Sequence, residues 1–256
     1  MFAFHSSFHI LSTFFVSLTQ QTGRYLLKCY STVLTGNKIN GTASYLNDFS
    51  PQKIQVCKAN TVEQFSELSN LLQLFAERSA FLVWETGRSF GEKKGEGVGL
   101  PENWNYHLSD FIKLNEAHAT YVTLRSFISD LESLGRDSPL RQVLTPLCKL
   151  YALVNIEEKL GEFLLSGVLS TIHTHFLSKS IKLLLQQIRP EAISLVDSFD
   201  FSDFFLNSSL GRYDGRVYED LFERTKQCPL NLNEVSEAYN LHLSKLIKGN
   251  RVDSKL

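Results

Sequence analysis

The sequence predicts an all-α fold, and three observations carry that reading. Apolar residues recur at steps of three and four through several long stretches, the spacing that lines one face of a helix. No stretch alternates with the period of two that a half-buried strand needs. At 43% hydrophobic and 12% aromatic, with a formal net charge of −1, the chain can build a substantial core. It lacks the charge excess and aromatic poverty of disordered segments.

Leu18 to Thr32 is read as a helix because Leu18, Tyr25, Leu26 and Tyr30 stand roughly one turn apart, with Arg24 and Lys28 four apart. Gly36, Asn37 and Gly41 mark the chain after it as irregular. From Val62 to Trp84 the apolar residues Phe65, Leu68, Leu71, Leu72, Phe75 and Phe81 to Val83 predict one long amphipathic helix. Gly87, Gly91, Gly95, Gly97 and Gly99, around Glu92-Lys93-Lys94, then predict a flexible exposed connector as far as Pro101. Five glycines invite a phosphate-loop reading, but neither Gly-x-Gly-x-x-Gly nor a Walker pattern is present and no strand precedes them.

Tyr106 to Leu134 is the next helix, with Phe111, Leu114, Tyr121, Leu124, Ile128 and Leu131 along one side, ended by Gly135, Asp137 and Pro139. Leu140 to Val154 continues helically. Val168 to Ile188 follows, with Ile172, Phe176, Ile181, Leu184, Leu185 and Ile188 expected to face one way, and Pro190 either ends it or begins the next helix at its first position. Two shorter helices are expected over Arg216 to Cys228 and Leu232 to Lys248. Asn231 and Glu234 are a candidate capping pair for the second, with Gly249 as its stop. Asn250 to Leu256 is polar enough to hang free.

Between these last helices lies the stretch that organises the chain, Val196 to Phe222. Phe199, Phe201, Phe204 and Phe205 alternate there with Asp197, Asp200 and Asp203, followed by Leu210-Gly211-Arg212-Tyr213-Asp214-Gly215. Gly211 and Gly215 can take positive φ, and Asp214 can accept from an orphan N–H of the next helix. Val217, Leu221 and Phe222 share a face of that helix. The expectation is a surface turn pinned between two buried segments, with the three acids as turn and cap residues.

Composition excludes several functions. With 26 basic against 27 acidic residues there is no basic stripe for nucleic acid. Cys29, Cys57, Cys148 and Cys228 are far apart, which fits buried reduced thiols and no metal site. His173 and His175 stand two apart, on nearly opposite sides of a helix, so they cannot chelate one metal and are read as solvent or boundary residues. His118 reads as a packed, hydrogen-bonded core histidine. No Gly-x-Ser-x-Gly elbow supports a hydrolase. Met1 to Leu18 is an apolar run without an early basic residue or a small-residue cleavage site, so it reads as neither a signal peptide nor a span. Ser254-Lys255-Leu256 at the other end is a peroxisomal import tripeptide.

Several of these words resemble the C-terminal part of peroxisomal acyl-CoA oxidases. They are Val196 to Phe201, Leu210 to Gly215 and Val217 to Glu219, together with Gln21-Thr22-Gly23-Arg24-Tyr25-Leu26-Leu27-Lys28 and Gly41 to Asp48. Glu116-Ala117-His118, Tyr121-Val122 and Glu162-Phe163-Leu164 add shorter matches. The resemblance covers about Gln21 to Leu256. Gly23 replaces an alanine of the family pattern, a change that costs a helix interior about 1 kcal/mol.

The resemblance implies a helical bundle preceded by a remnant helix of the family's middle, flavin-side helical domain. The implied divisions are residues 1–20, a divergent apolar start; 21–59, the remnant with its connecting loop; 60–249, the C-terminal helical domain; and 250–256, the free tail. It implies an FAD-dependent oxidation of acyl-CoA, with oxygen giving trans-2-enoyl-CoA and hydrogen peroxide, in a peroxisomal homodimer recognised by the import receptor. The family's catalytic glutamate, counted back from Gln21, falls at Ser12, and no acidic residue occurs before Asp48. The expectation is therefore a chain without that base, inactive alone and not holding FAD alone, with uncovered apolar surface around Met1 to Tyr30. Two alternatives stand beside it: a non-catalytic protein that docks on full-length oxidase subunits, and a protein anchored to a membrane by its N-terminal run.

Overall fold

The structure is a computed structural model and describes residue 18, residues 20–233 and residues 235–249. It consists of two units, Met1–Glu191 and Ala192–Leu256. Every regular element among the described residues is helical.

In the first unit, α1 spans residues 20–34, and a 3-10 turn, Ser44–Asp48, follows. Then come α2 (Val62–Phe65), α3 (Leu68–Gly95), α4 (Leu100–Tyr106) and α5 (Leu108–Ser133). The unit closes with α6 (Pro139–Glu158), α7 (Leu160–Leu165) and α8 (Thr171–Ile188). Helices α3 and α5 run antiparallel. Leu71, Leu74 and Phe75 meet Tyr121, Leu124, Ile128 and Leu131, while Ala80 to Val83 meet Phe111, Leu114 and Ala117. Helices α6 and α8 close the first of these clusters through Ala152, Leu153, Ile156, Leu177 and Leu184. Helix α1 closes the second through Leu26 and Cys29. Burying each such Leu or Phe side chain contributes about 1.5–3 kcal/mol.

The expected long helix from Val62 is broken at Ser66. Thr61 caps α2 by accepting from the Gln64 N–H, and the Asn70 carboxamide donates to the freed Phe65 carbonyl at 2.9 Å. That break lets Phe65 turn into the core beside His173 and Phe176.

The glycine-rich connector is a correction. Helix α3 continues through Gly87 and Gly91 to Gly95, and only residues 96–99 turn before α4. Tertiary packing outweighs the glycine penalty of about 1 kcal/mol each. Phe90 packs on Trp104, His107 and Phe111, and a Cβ at Gly87 would already stand in contact with Leu27 and Tyr30, so glycine there leaves room for α1.

Helix α8 is also rotated from its expected face. His173, Leu177, Ser180 and Leu184 are buried, whereas Ile172 and Leu185 are exposed. His173 is thus not a solvent or boundary residue. Its Nδ1 accepts from the Ser170 backbone N–H at 3.0 Å in a capping box, and its ring stacks on Phe65. His175 is exposed.

The second unit contains α9 (Ala192–Asp197), α10 (Asp203–Leu206), α11 (Val217–Gln227), a 3-10 turn Pro229–Asn231, a π turn Tyr239–Leu243 and α12 (Ser244–Gly249). The helix expected over Leu232 to Lys248 is thus shorter. Glu234 lies outside the described residues, and the Asn231 carboxamide donates to the Thr225 carbonyl at 3.0 Å, so it closes α11 instead of opening the next helix. Of the described residues in this unit only Ser209 is buried. Phe199, Phe201, Phe204 and Phe205 are 70%, 66%, 87% and 83% exposed. The expected burial on both sides of the turn is not present, because no apolar element among the described residues covers these rings. Uncovered apolar surface is therefore present here; of the stretch where it was expected, Met1 to Ser17 lies outside the described residues, while in and before α1 Leu18 and Tyr25 are exposed and Leu26 is buried.

Candidate functional site

The first unit carries an open groove of about 530 Å³ between α1, α3 and α4. Leu27, Trp84, Phe90 and Trp104 supply its apolar walls, and Arg24, Lys28 and Arg88 its charge. The Arg24 guanidinium lies 4.7 Å from the centre of the Trp104 ring, and that of Arg88 lies 5.6 Å from Trp84. Both are cation–π pairs, which hold such side chains flat at exposed sites. Gly91 would meet nothing with a Cβ, so the floor is open there. Among the described residues the lining holds no carboxylate, imidazole or thiol. It can take an apolar or aromatic surface with negative charge at its edge, but it has no group to accept a carbon-bound proton. The residues present therefore do not make up a flavin site with its base, and no step through a flavin follows from them.

Buried polar groups nearby serve the fold. His118 Nδ1 lies 3.1 Å from the Tyr45 hydroxyl. Burial holds the imidazole below its ordinary pKa and pushes the Tyr45 phenol up, so neutral His118 accepts from a Tyr45 that stays a donor. His107, which sequence reasoning missed, bonds Ser89 Oγ through Nε2 at 2.9 Å and the Asn103 carbonyl through Nδ1 at 3.0 Å. This is a serine–imidazole pair without an orienting carboxylate, because Nδ1 faces the Asn103 carbonyl. No nucleophilic site results. Arg78, also missed, is 1% exposed. Its Nε donates to Glu162 at 2.8 Å, and its guanidinium lies 4.9 Å from the Phe163 ring centre. A charge in the run Phe75 to Trp84 was the signal that could have revealed it. Cys29, Cys57 and Cys148 are buried and Cys228 half-buried, and all four are free.

In the second unit the turn is built as an ionic network. Arg212 holds Asp214 with Nε at 2.9 Å and Nη2 at 2.5 Å, and reaches Asp220 with Nη1 at 3.3 Å. Asp220 also accepts from Ser209 at 2.5 Å and Arg224 at 2.7 Å. Arg224 in turn bonds the Asn207 side chain at 3.0 Å. Asp214 accepts from the Arg216 N–H at 3.0 Å; Arg216 precedes α11, so Asp214 closes the turn and does not cap an orphan N–H of the helix as expected. The Arg212 bonds hold its carboxyl down to about 2. Asp203 accepts from the Tyr213 N–H at 3.1 Å, so it is a turn acid. Gly215 takes φ +70° as expected, but Gly211 does not take positive φ; a Cβ there would press on Leu206 at 3.2 Å. Non-glycine Asp200 and Asn207 take the left-handed conformation instead.

Among the described residues no cluster of His, Cys, Asp and Glu could hold a metal, and no helix is long and apolar enough to cross a membrane. Ser12 and the tripeptide Ser254, Lys255 and Leu256 lie outside the described residues.

The fold and groove define an all-helical module with an open, cation-edged apolar groove. A family model described as acyl-CoA oxidase matches residues 67–248, and the chain belongs to the acyl-CoA oxidase family. Peroxisomal acyl-coenzyme A oxidase 1 of Phascolarctos cinereus is 38% identical over 88% of this chain and 34% of its own length. Acyl-CoA oxidase 1 of Arabidopsis thaliana superposes with a TM-score of 0.82 at 26% identity, over 91% of this chain and 35% of that one. Acyl-CoA oxidase-2 of Caenorhabditis elegans, bound with FAD, ascaroside-CoA and ATP, gives 0.79 at 26% identity over 94% of this chain and 35% of that one. The chain thus spans about a third of the length of the relatives it matches.

Proposed function

We propose that this chain is the C-terminal helical part of a peroxisomal, FAD-dependent acyl-CoA oxidase and acts only against flavin-carrying parts that its own residues do not supply. The observation that carries the reading is the second unit, which keeps the family's words yet buries only Ser209 among its described residues. Its exposed phenylalanines need a covering surface, and an apolar patch of this kind is a contact surface. The groove beside α1, apolar with three cations and no base, fits the same role. The divisions at residues 20, 59 and 249 belong to this reading, as do the family homodimer, the acyl-CoA substrate and the absence of the catalytic glutamate, whose counted position is Ser12.

The test is hydrogen peroxide release by the isolated chain with acyl-CoA and added FAD. No turnover is expected; turnover would overturn the reading. A second reading, a non-catalytic protein that docks on full-length oxidase subunits, rests on the same exposed rings. Gel filtration of the chain mixed with a full-length peroxisomal oxidase separates the two, since co-elution supports docking. The peroxisomal address accords with the names of the relatives. A fluorescent tag at the N-terminus is expected to give peroxisomal puncta, and deletion of Leu256 to make the signal diffuse.

A further inference from the structure

A basic pocket between α6 and α8 has no role in this reading. It is open to solvent, with a volume of about 480 Å³, and half-buried Arg141 and Lys149 line it together with exposed Arg136, Gln142 and Gln187. No carboxylate lines it. Among the described residues none of the three cations lies in a salt bridge. Arg141 donates one bond, from Nη1 to the Leu134 carbonyl at 3.1 Å, which leaves the rest of its fork available.

The sequence around the pocket reinforces this independently. Helix α8, Thr171–Ile188, contains no acidic residue, and the acids of α6 are confined to its last two positions, Glu157 and Glu158. Two packed helices therefore make a positive field in a chain whose net charge is −1. The C-terminal carbonyls of α8 oppose it with about half a charge, and the N-terminus of α6 contributes about half a charge the other way. Three full side-chain charges decide the sign.

We propose that this pocket binds the pyrophosphate group of a small molecule, with Arg141 and Lys149 holding the phosphate oxygens and Arg136 at the rim. The guanidinium fork suits two oxygens of one phosphate, and lysine adds a point charge. The carboxamides of Gln142 and Gln187 donate to the remaining oxygens. The volume exceeds that of one phosphate and falls in the range of small-molecule sites.

Calorimetric titration of the full chain with inorganic pyrophosphate, adenosine diphosphate and coenzyme A tests this. Saturable binding of pyrophosphate is expected, weakening on going from low to physiological salt. Lys149→Gln, a half-buried position with no hydrogen bond to lose, and Arg141→Ala should each weaken it at least tenfold. Lys94→Gln, an exposed position near the end of α3 that lines neither this pocket nor the groove, should leave it unchanged. Tighter binding of adenosine diphosphate or coenzyme A than of pyrophosphate would say which molecule carries the group. Absence of saturation at millimolar pyrophosphate, equal binding by Lys149→Gln with its circular dichroism intact, or equal competition by sulfate would each refute the site.

Discussion

At Gly23 an added Cβ would stand 2.6 Å from Cδ1 of Phe111, with two further ring and side-chain atoms within 3.1 Å. Phe111 is fully buried and packs on Trp104, so it cannot swing aside. Alanine would gain about 1 kcal/mol in helix propensity, but overpacking costs about 1–3 kcal/mol, so the clash wins. Gly23→Ala is expected to lower stability in urea titrations, and Phe111→Leu in the same chain to recover part of the loss. The departure from the family's alanine is therefore a fitted contact and not a flaw. His118 provides a pH test at the same scale. Its folded pKa lies below the ordinary 6.5 because burial disfavours the imidazolium. Its contribution is complete above about 6.5 and is lost as pH falls from there through the folded value. Urea stability should drop between pH 7.5 and 5.5, and less so in His118→Gln. Glu77 has the opposite sign. It is 8% exposed with Oε2 unpartnered, and burial raises its pKa above the ordinary 4.5. Stability is lost as pH rises from there through the folded value. Glu77→Gln should stabilise the chain at pH 7 by about 1 kcal/mol, with a higher Tm as the readout.

At the scale of elements, the Arg78–Glu162 pair ties α3 to α7 across the bundle, at 2.5 Å with side chains 1% and 21% exposed. Removing one partner strands a buried charge, which costs about 3–5 kcal/mol. Glu162→Ala should therefore lower the urea midpoint strongly, whereas Arg78→Met with Glu162→Leu should be close to neutral. The elements also show which sequence signals suffice. The face of α5 was legible because Phe111, Leu114, Tyr121, Leu124, Ile128 and Leu131 repeat cleanly, and all six are buried. The face of α8 was not, because its apolar residues surround it: Ile172 and Leu185 face solvent while His173 and Ser180 fill the core side. The glycines of α3 misled for a related reason. Propensity registers the entropy glycine loses, while the ring of Phe90 that holds the helix together makes its contacts in α4 and α5.

For the molecule as a whole, the second unit sets the behaviour. Its exposed phenylalanines and tyrosines, with Tyr213 at 82% and Tyr218 at 84%, should bind a hydrophobic dye strongly at neutral pH. Addition of the flavin-bearing part of an oxidase from which its own C-terminal helical part has been removed should suppress that signal; an unchanged signal would argue against the proposed covering surface. The groove was invisible to sequence reading because Arg24, Arg88 and Trp104 come from three helices, and only packing brings them together. The turn was partly legible, since Gly215 does as its type suggests, while the partnership of Arg212 and Arg224 around Asp220 joins positions spread over a loop and a helix. What the sequence alone determined was the all-helical class and the family, because helical periodicity and motif words are local properties of the chain. Which faces are buried, which charges pair and which rings stay uncovered were decided only by the tertiary structure, because burial is a property of neighbours that a linear pattern does not contain.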